Sequence, residues 1–94
     1  MINYMYLDVG FGYKLAVNEI YALLPINILS VKNLALEKRK QGKMIRATKG
    51  RKGRSLLLLK NGMVCVSAYT TDEIVNNIHE LNIVNRNGGK LDDE

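Results

Sequence analysis

The sequence predicts a small single-domain α+β protein with a mostly antiparallel sheet and the element order βββαβββα. Six short runs rich in aromatic, β-branched and leucine residues are bounded by glycine, asparagine or proline, as strands usually are. Two other segments repeat apolar residues at helical spacing. Asn61-Gly62, between two apolar runs, is the strongest short-range hairpin signal in the chain.

Three strands are predicted before the first helix. Gly10-Phe11-Gly12 predicts a tight turn after the first strand, because glycine tolerates the backbone angles that such turns need. Leu15 and Val17 lie two positions apart, which predicts one buried face for the second strand, and Pro25 ends the third. The six predicted strands are Met5–Val9, Tyr13–Val17, Glu19–Leu24, Met44–Thr48, Ser55–Lys60 and Met63–Tyr69.

The two predicted helices have recognisable ends. Ser30 is the predicted N-cap of the first helix, which extends from Val31 to about Gln41, and Gly42 suits its C-terminal end. Thr70-Thr71-Asp72-Glu73 is a capping box for the second helix. The apolar stripe of that helix is Ile74, Val75, Ile78 and Leu81.

Strand pairing is suggested by two features of the C-terminal half. The unbroken run Leu56–Leu59 implies burial on both faces, as in a central strand or in a strand that packs one face against another subunit. Asn61-Gly62 predicts a two-residue type I′ turn that leads into the last strand.

Length and composition indicate one cytoplasmic domain. The 94 residues, 47% of them hydrophobic and 24% charged, suit a globular domain of residues 1–84 followed by a flexible polar tail of residues 85–94. Cys65 is the one cysteine, which fits a reducing compartment. No apolar run is long enough to span a membrane, so we expect a cytoplasmic protein without a membrane partner.

Catalytic and cofactor sites are not indicated. The one histidine, His79, lies on the polar side of the second helix, and Cys65 alternates with valines as a packed core residue does. The His, Cys and carboxylate residues do not have metal-ligand spacing. Gly50 and Gly53 are three apart and precede a strand, unlike the glycines of a P-loop. We therefore predict no catalytic residue, no metal or other cofactor, no small-molecule substrate and no enzymatic activity.

Positive charge is concentrated in one segment, residues 38–54. It contains nine of the 14 Lys and Arg residues and no acid, in a chain of net charge +5. Its last part, Thr48 to Arg54, places cations between Gly50 and Gly53, where exposed backbone N–H groups can approach phosphates. Lys38, Arg39 and Lys40 are also explained by the dipole of the first helix. The remaining cations favour a nucleic-acid partner, recognised through shape and backbone.

The same residues resemble a known family. Gly10-Phe11-Gly12 after a strand, Asn18 before Ile20, and Ala47-Thr48-x-Gly50-Arg51-Lys52-x-Arg54 before an apolar strand are similar to the RemA family, bacterial regulators of biofilm extracellular-matrix genes. The similarity extends from about Leu7 through the second helix. The resemblance implies a small DNA-binding protein without a helix-turn-helix, related to LytTR-type domains, whose subunits form a ring along which DNA lies.

Individual positions follow or depart from this resemblance. Arg51 and Lys52 match the paired basic residues of the family, with lysine replacing arginine at the second position, and Arg54 matches the arginine that follows. Lys49 stands where an aromatic residue is common. Glu19 and Arg46 stand where a basic and an acidic residue are usual, so the exchange preserves an ion pair with reversed signs or alters the subunit contact or the DNA path.

We therefore predict a nucleoid-associated transcriptional regulator that forms a ring-like homo-oligomer and binds double-stranded DNA through a repeated basic loop. The exposed apolar surface of the Leu56–Leu59 strand and of the tyrosine-rich N-terminal strands is the expected subunit contact. Two alternatives stay open: an RNA-binding module of the translation apparatus, and a non-enzymatic scaffold that binds acidic partners. The predicted DNA-binding residues are Lys49, Gly50, Arg51, Lys52 and Arg54, with Arg46 and Lys43 in support.

Overall fold

The predicted class and element order are confirmed. A computed structural model describes residues 5–92, with side chains as far as Leu81. A short 3-10 turn at Val17–Glu19, which the pattern did not predict, connects the second and third strands. The elements are β1 Tyr6–Gly10, β2 Tyr13–Ala16, β3 Ile20–Pro25, α1 Leu29–Lys40, β4 Met44–Ala47, β5 Ser55–Leu59, β6 Val64–Ser67 and α2 Thr71–Asp92.

The strands form a hairpin and a four-stranded sheet. β1 and β2 pair antiparallel as the hairpin. The sheet has the order β3-β5-β6-β4, in which β5 pairs antiparallel with both neighbours and β4 pairs parallel with β6. The predominance of antiparallel pairing is therefore confirmed. Because β6 lies between β4 and β5, the chain that joins those two strands has to cross the end of β6.

The core has a layer on each face of the sheet. One layer packs the β1–β2 hairpin and α2 against the sheet around Leu7, Leu57 and Ile74, and the other packs α1 around Val31 and Leu56. Burial raises the pKa of the Cys65 thiol to about 11, which fits the packed core residue that its alternation predicts.

The leucine run belongs to this core. Leu57 faces the α2 layer, whereas Leu56 and Leu58 face the α1 layer, and β5 has a neighbour on each side. The central-strand interpretation is confirmed. The expectation that the Leu56–Leu59 strand exposes apolar surface to another subunit is wrong, since Leu56, Leu57 and Leu59 are buried within one chain.

Of the three predicted helix-end signals, two are confirmed and one is wrong. The capping box is present: Thr70 N–H donates to Glu73 Oε1 at 2.8 Å, and Glu73 N–H donates to Thr70 Oγ1 at 3.1 Å. Gly42 has a φ of +71°, and the N–H groups of Gly42 and Lys43 bond back to Arg39 and Lys38 as in a Schellman motif. The Ser30 cap is wrong, because α1 begins at Leu29, after Ile28, so Ser30 lies inside the first turn.

The turn between β5 and β6 is longer than predicted. Gly62 has a φ of +88°, but Asn61 does not share the positive φ that a type I′ turn needs at both central residues. Gly62 N–H donates to Leu59 O at 3.1 Å, and Leu59 N–H donates to Met63 O at 3.0 Å. These bonds define a three-residue loop with a left-handed glycine.

α2 continues through most of the segment predicted to be a flexible tail. Its backbone remains helical to Asp92, beyond the last residue of the apolar stripe, Leu81. A helix can extend in this way because each residue added to an existing helix gains one hydrogen bond. Residues 93–94 lie outside the described residues, and the boundary at residue 84 stays a prediction. No helix in residues 5–92 combines the length and hydropathy that crossing a bilayer requires.

Candidate nucleic-acid interface

Residues 48–54, which we call the basic loop, cross the end of β6. The loop leaves β4 after Ala47 and enters β5 at Ser55. Arg54 N–H donates to Ser67 O at 2.8 Å, and Arg54 O accepts from Ile26 N–H at 3.1 Å. These bonds fix the end of the loop between the last residue of β6 and the residue that follows β3.

The first half of the basic loop is a tight turn. Arg51 N–H donates to Thr48 O at 3.0 Å. The two central residues, Lys49 and Gly50, have φ values of +50° and +82°, as a type I′ turn requires. Gly50 adopts this conformation without steric cost, whereas Lys49 adopts it under strain.

The second half of the basic loop lies directly on the sheet. A Cβ atom added to Gly53 would lie 2.5 Å from Val66 Cγ1, closer than any side chain tolerates. Only glycine therefore lets the backbone approach β6 this closely. At the two ends of the loop, the Thr48 and Ser55 hydroxyls are buried and have no hydrogen-bond partner in the described part of the chain.

The tip of the β1–β2 hairpin reaches the basic loop. Its two central residues, Phe11 and Gly12, have φ values of +55° and +85°. Ser67 Oγ donates to Val9 O at 2.6 Å, which ties the hairpin to the end of β6. The Phe11 ring lies beneath Arg51, whose guanidinium carbon is 5.6 Å from the ring centroid. The predicted tight turn is therefore confirmed, and its contact with the loop is a feature that the sequence did not predict.

Several concave sites adjoin the loop, and basic side chains line the two that extend beyond it to α1, β4 and the hairpin. The larger has a volume of about 550 Å³, and its cations are Lys32, Arg46, Lys52 and Arg54. We call it the four-cation cleft; Ile26 and Val66 provide apolar surface, and the described residues that line it include no carboxylate. The smaller, which we call the hairpin cleft, has a volume of about 400 Å³. Arg46 lines both clefts, and Phe11, Gly12, Tyr13 and Lys49 complete the hairpin cleft.

Six of the seven predicted residues lie at this end of the sheet. Five belong to the basic loop, and Arg46 projects from β4 beside it. Lys43 does not join them, because it precedes β4 and its carbonyl oxygen accepts from Val64 N–H. Lys43 and Thr48 are five steps apart along extended chain, or roughly 16 Å at about 3.3 Å per residue. The five predicted residues in the basic loop are Lys49, Gly50, Arg51, Lys52 and Arg54.

Two residues at these clefts lie outside the sequence prediction. Lys32, near the start of α1, faces the four-cation cleft because β3 ends at Pro25 beside the basic loop. No local pattern distinguishes it from the other exposed cations of α1. For Phe11 the sequence did contain a signal, an aromatic residue between two glycines. In the structure its side chain is 44% exposed.

Glu19 and Arg46 lie at opposite sides of the molecule. Glu19 precedes β3, and Arg46 belongs to β4, the two edge strands of the four-stranded sheet. Three strand spacings of about 4.8 Å separate these edges by roughly 14 Å. The two residues therefore do not form an ion pair within one subunit.

Comparisons with known proteins identify the family of this chain. A family model described as RemA-like, extracellular matrix regulatory protein A-like, matches residues 6–78. A "Putative regulatory protein" of Thermodesulfovibrio yellowstonii is 34% identical over 80 residues, covering 85% of this chain and 94% of that protein. A protein of the same name from Desulfosudis oleivorans is 32% identical over 76 residues, covering 81% of this chain and 78% of its own length. Because the matched residues include the hairpin and the basic loop, the chain belongs to the RemA-like family of regulatory proteins.

Proposed function

We propose that this protein is a transcriptional regulator of extracellular-matrix genes that binds duplex DNA through the basic loop, repeated on a ring-like homo-oligomer. The observation that supports this most directly is the four-cation cleft. Four cations gathered around one concavity repel one another, and among the residues that the structure describes no carboxylate lines the site to neutralise them. A polyanion would remove that repulsion, and the family supports a regulatory role.

The loop geometry suits a phosphate backbone better than it suits base edges. Lys52 and Arg54 border the four-cation cleft, while Arg51 lies over Phe11, so the cations spread over an extended surface. Each phosphate neutralised by such a cation releases counterions and strengthens binding at low salt. We therefore expect affinity to depend strongly on salt and weakly on base sequence.

Self-association supplies the affinity that one loop lacks. Four or five cations bind DNA weakly at physiological salt, but linked copies raise the effective concentration of each loop near the duplex. A ring requires a head-to-tail contact between different surfaces of neighbouring subunits. The N-terminal strands expose Tyr13 at 45% and Tyr21 at 64%, which keeps the tyrosine-rich part of the predicted contact as a candidate.

The test is a double charge reversal, Arg51→Glu with Arg54→Glu, in a gel shift with duplex DNA at moderate salt. We expect the variant to lose DNA retention and to keep its assembly by sedimentation. Lys40→Glu with Lys60→Glu makes the same change in net charge at exposed positions away from the loop and should retain DNA. Unchanged retention in the loop variant would refute the loop as the interface, and a preference for structured RNA over duplex DNA would favour the RNA-binding alternative.

A further inference from the structure

We propose that Phe11 is a positioning residue for DNA binding, whose ring holds the Arg51 guanidinium in the orientation that meets the phosphate backbone. This inference deepens the proposed function and rests on it. Phe11 would touch Arg51 rather than DNA, so its contribution would pass through the arginine. The geometry that points to it is the position of Arg51 over the ring, 5.6 Å from its centroid.

The backbone at Phe11 is strained. Phe11 and Lys49 are the non-glycine residues with positive φ in the described part of the chain, and each is followed by a glycine of positive φ. A bulky residue in the left-handed region is an outlier, whereas glycine adopts it freely. The ring is also 44% exposed, so burial does not account for an aromatic residue in a strained turn. A contact with Arg51 does account for it, because strain of this kind tends to persist where it serves a site.

Both partners are anchored to the same end of the sheet. The hairpin is held by the hydrogen bond from Ser67 Oγ to Val9 O, and Gly10 lies beside Ala47, where an added Cβ would be in van der Waals contact with the Ala47 carbonyl oxygen at 3.4 Å. The Arg51 backbone is held by the hydrogen bond from Arg51 N–H to the carbonyl oxygen of Thr48, the residue that follows Ala47. The ring and the arginine backbone therefore keep a fixed relation in every copy of the chain.

Stacking suits arginine because its charged group is planar. A ring beneath one face of the guanidinium leaves the N–H groups along its edges free to bond with phosphate oxygens. A long side chain that is already oriented loses less rotational freedom when DNA binds. Lysine at this position would lack the flat surface that the ring supports.

The test is a double-mutant cycle on duplex binding. We expect Phe11→Leu to weaken binding by about 2- to 5-fold for each engaged subunit, the range of an exposed cation–π contact. Phe11→Tyr, which retains the ring face, should restore binding. In an Arg51→Ala background, Phe11→Leu should have no further effect, because the partner of the ring is already absent. In a Lys52→Ala background it should keep its full effect, since the ring contact is with Arg51.

The outcomes separate this inference from the proposed function. Salt-dependent duplex binding that is lost on Arg51→Glu with Arg54→Glu supports the proposed function whatever Phe11 does. An equal effect of Phe11→Leu in the wild-type and Arg51→Ala backgrounds, or failure of Phe11→Tyr to restore binding, would overturn the positioning role. Unfolding and sedimentation of Phe11→Leu check its fold; if its affinity falls only with its stability or assembly, the positioning role is likewise overturned.

Discussion

Two buried serines face each other across the end of the sheet and differ in their hydrogen bonding. Ser55 and Ser67 are register partners of β5 and β6, and both are fully buried. Ser67 Oγ donates to Val9 O at 2.6 Å and accepts from Tyr69 N–H at 3.0 Å. Ser55 Oγ has no partner among the described residues. A buried hydroxyl without a partner loses its hydration and gains nothing in return.

We therefore predict different effects for the same substitution at these two positions. Ser67→Ala should lower the free energy of unfolding by about 1–3 kcal/mol, because it leaves a buried carbonyl oxygen and a backbone N–H unpaired. Ser55→Ala should leave the free energy of unfolding unchanged or raise it by up to about 1 kcal/mol. Urea unfolding of both variants measures this difference. A loss at Ser55 equal to that at Ser67 would contradict the assignment of their hydrogen bonds.

At the scale of elements, the position of the basic loop depends on the absence of a side chain at residue 53. An added Cβ would lie 2.5 Å from Val66 Cγ1, so any other residue pushes the loop away from β6. That movement would also strain the bonds from Arg54 to Ser67 and from Ile26 to Arg54. The four-cation cleft would open as Lys52 and Arg54 move together with the backbone.

Gly53→Ala tests this packing. We predict a loss of about 1–3 kcal/mol in the free energy of unfolding, the usual cost of overpacking, together with weaker duplex binding. Val66→Ala creates room for the new methyl group, so Gly53→Ala should cost less in that background than in the wild type. Chemical unfolding of the two single variants and the double variant measures this coupling. Additive costs would show that the loop does not rest on Val66.

Local sequence signals predicted some elements well and others poorly, for physical reasons. The Thr70–Glu73 capping box and the end of α1 at Gly42 depend on neighbouring residues alone, and both are confirmed. The β5–β6 turn depends on strand register as well as on Asn61-Gly62, and its predicted type is wrong. Ser30 has the chemistry of an N-cap, but the chain enters α1 two residues earlier.

The candidate site was predictable only as far as charge clustering along the chain allowed. The cations from Lys49 to Arg54 lie so close together in the sequence that local composition alone identifies them as a cluster. Lys32 and Phe11 come from α1 and the β1–β2 hairpin, and only the tertiary arrangement places them beside the basic loop. Lys43 is close to the loop in sequence but lies beyond the far end of β4, and its supporting role in DNA binding stays a prediction.

At the scale of the whole molecule, the proposed ring converts one weak loop into a repeated surface. The two edge strands, β3 and β4, lie on opposite sides of the sheet, so a head-to-tail contact can use one edge of each neighbour. Glu19 lies beside the first edge and Arg46 on the second. An ion pair between these two residues can therefore form between neighbouring subunits but not within one chain. The Leu56–Leu59 strand is internal and offers no surface to such a contact.

Sedimentation of the wild-type protein, with and without a long duplex and at low and moderate salt, tests the central claim most directly. We predict an oligomer in the absence of DNA and cosedimentation with the duplex. The observed binding constant should fall as salt rises, with a slope of roughly −0.9 in log–log form for each phosphate engaged. A slope larger than one loop can provide would indicate that several copies bind together. A protein that sediments as a single subunit and ignores the duplex even at low salt would contradict the account.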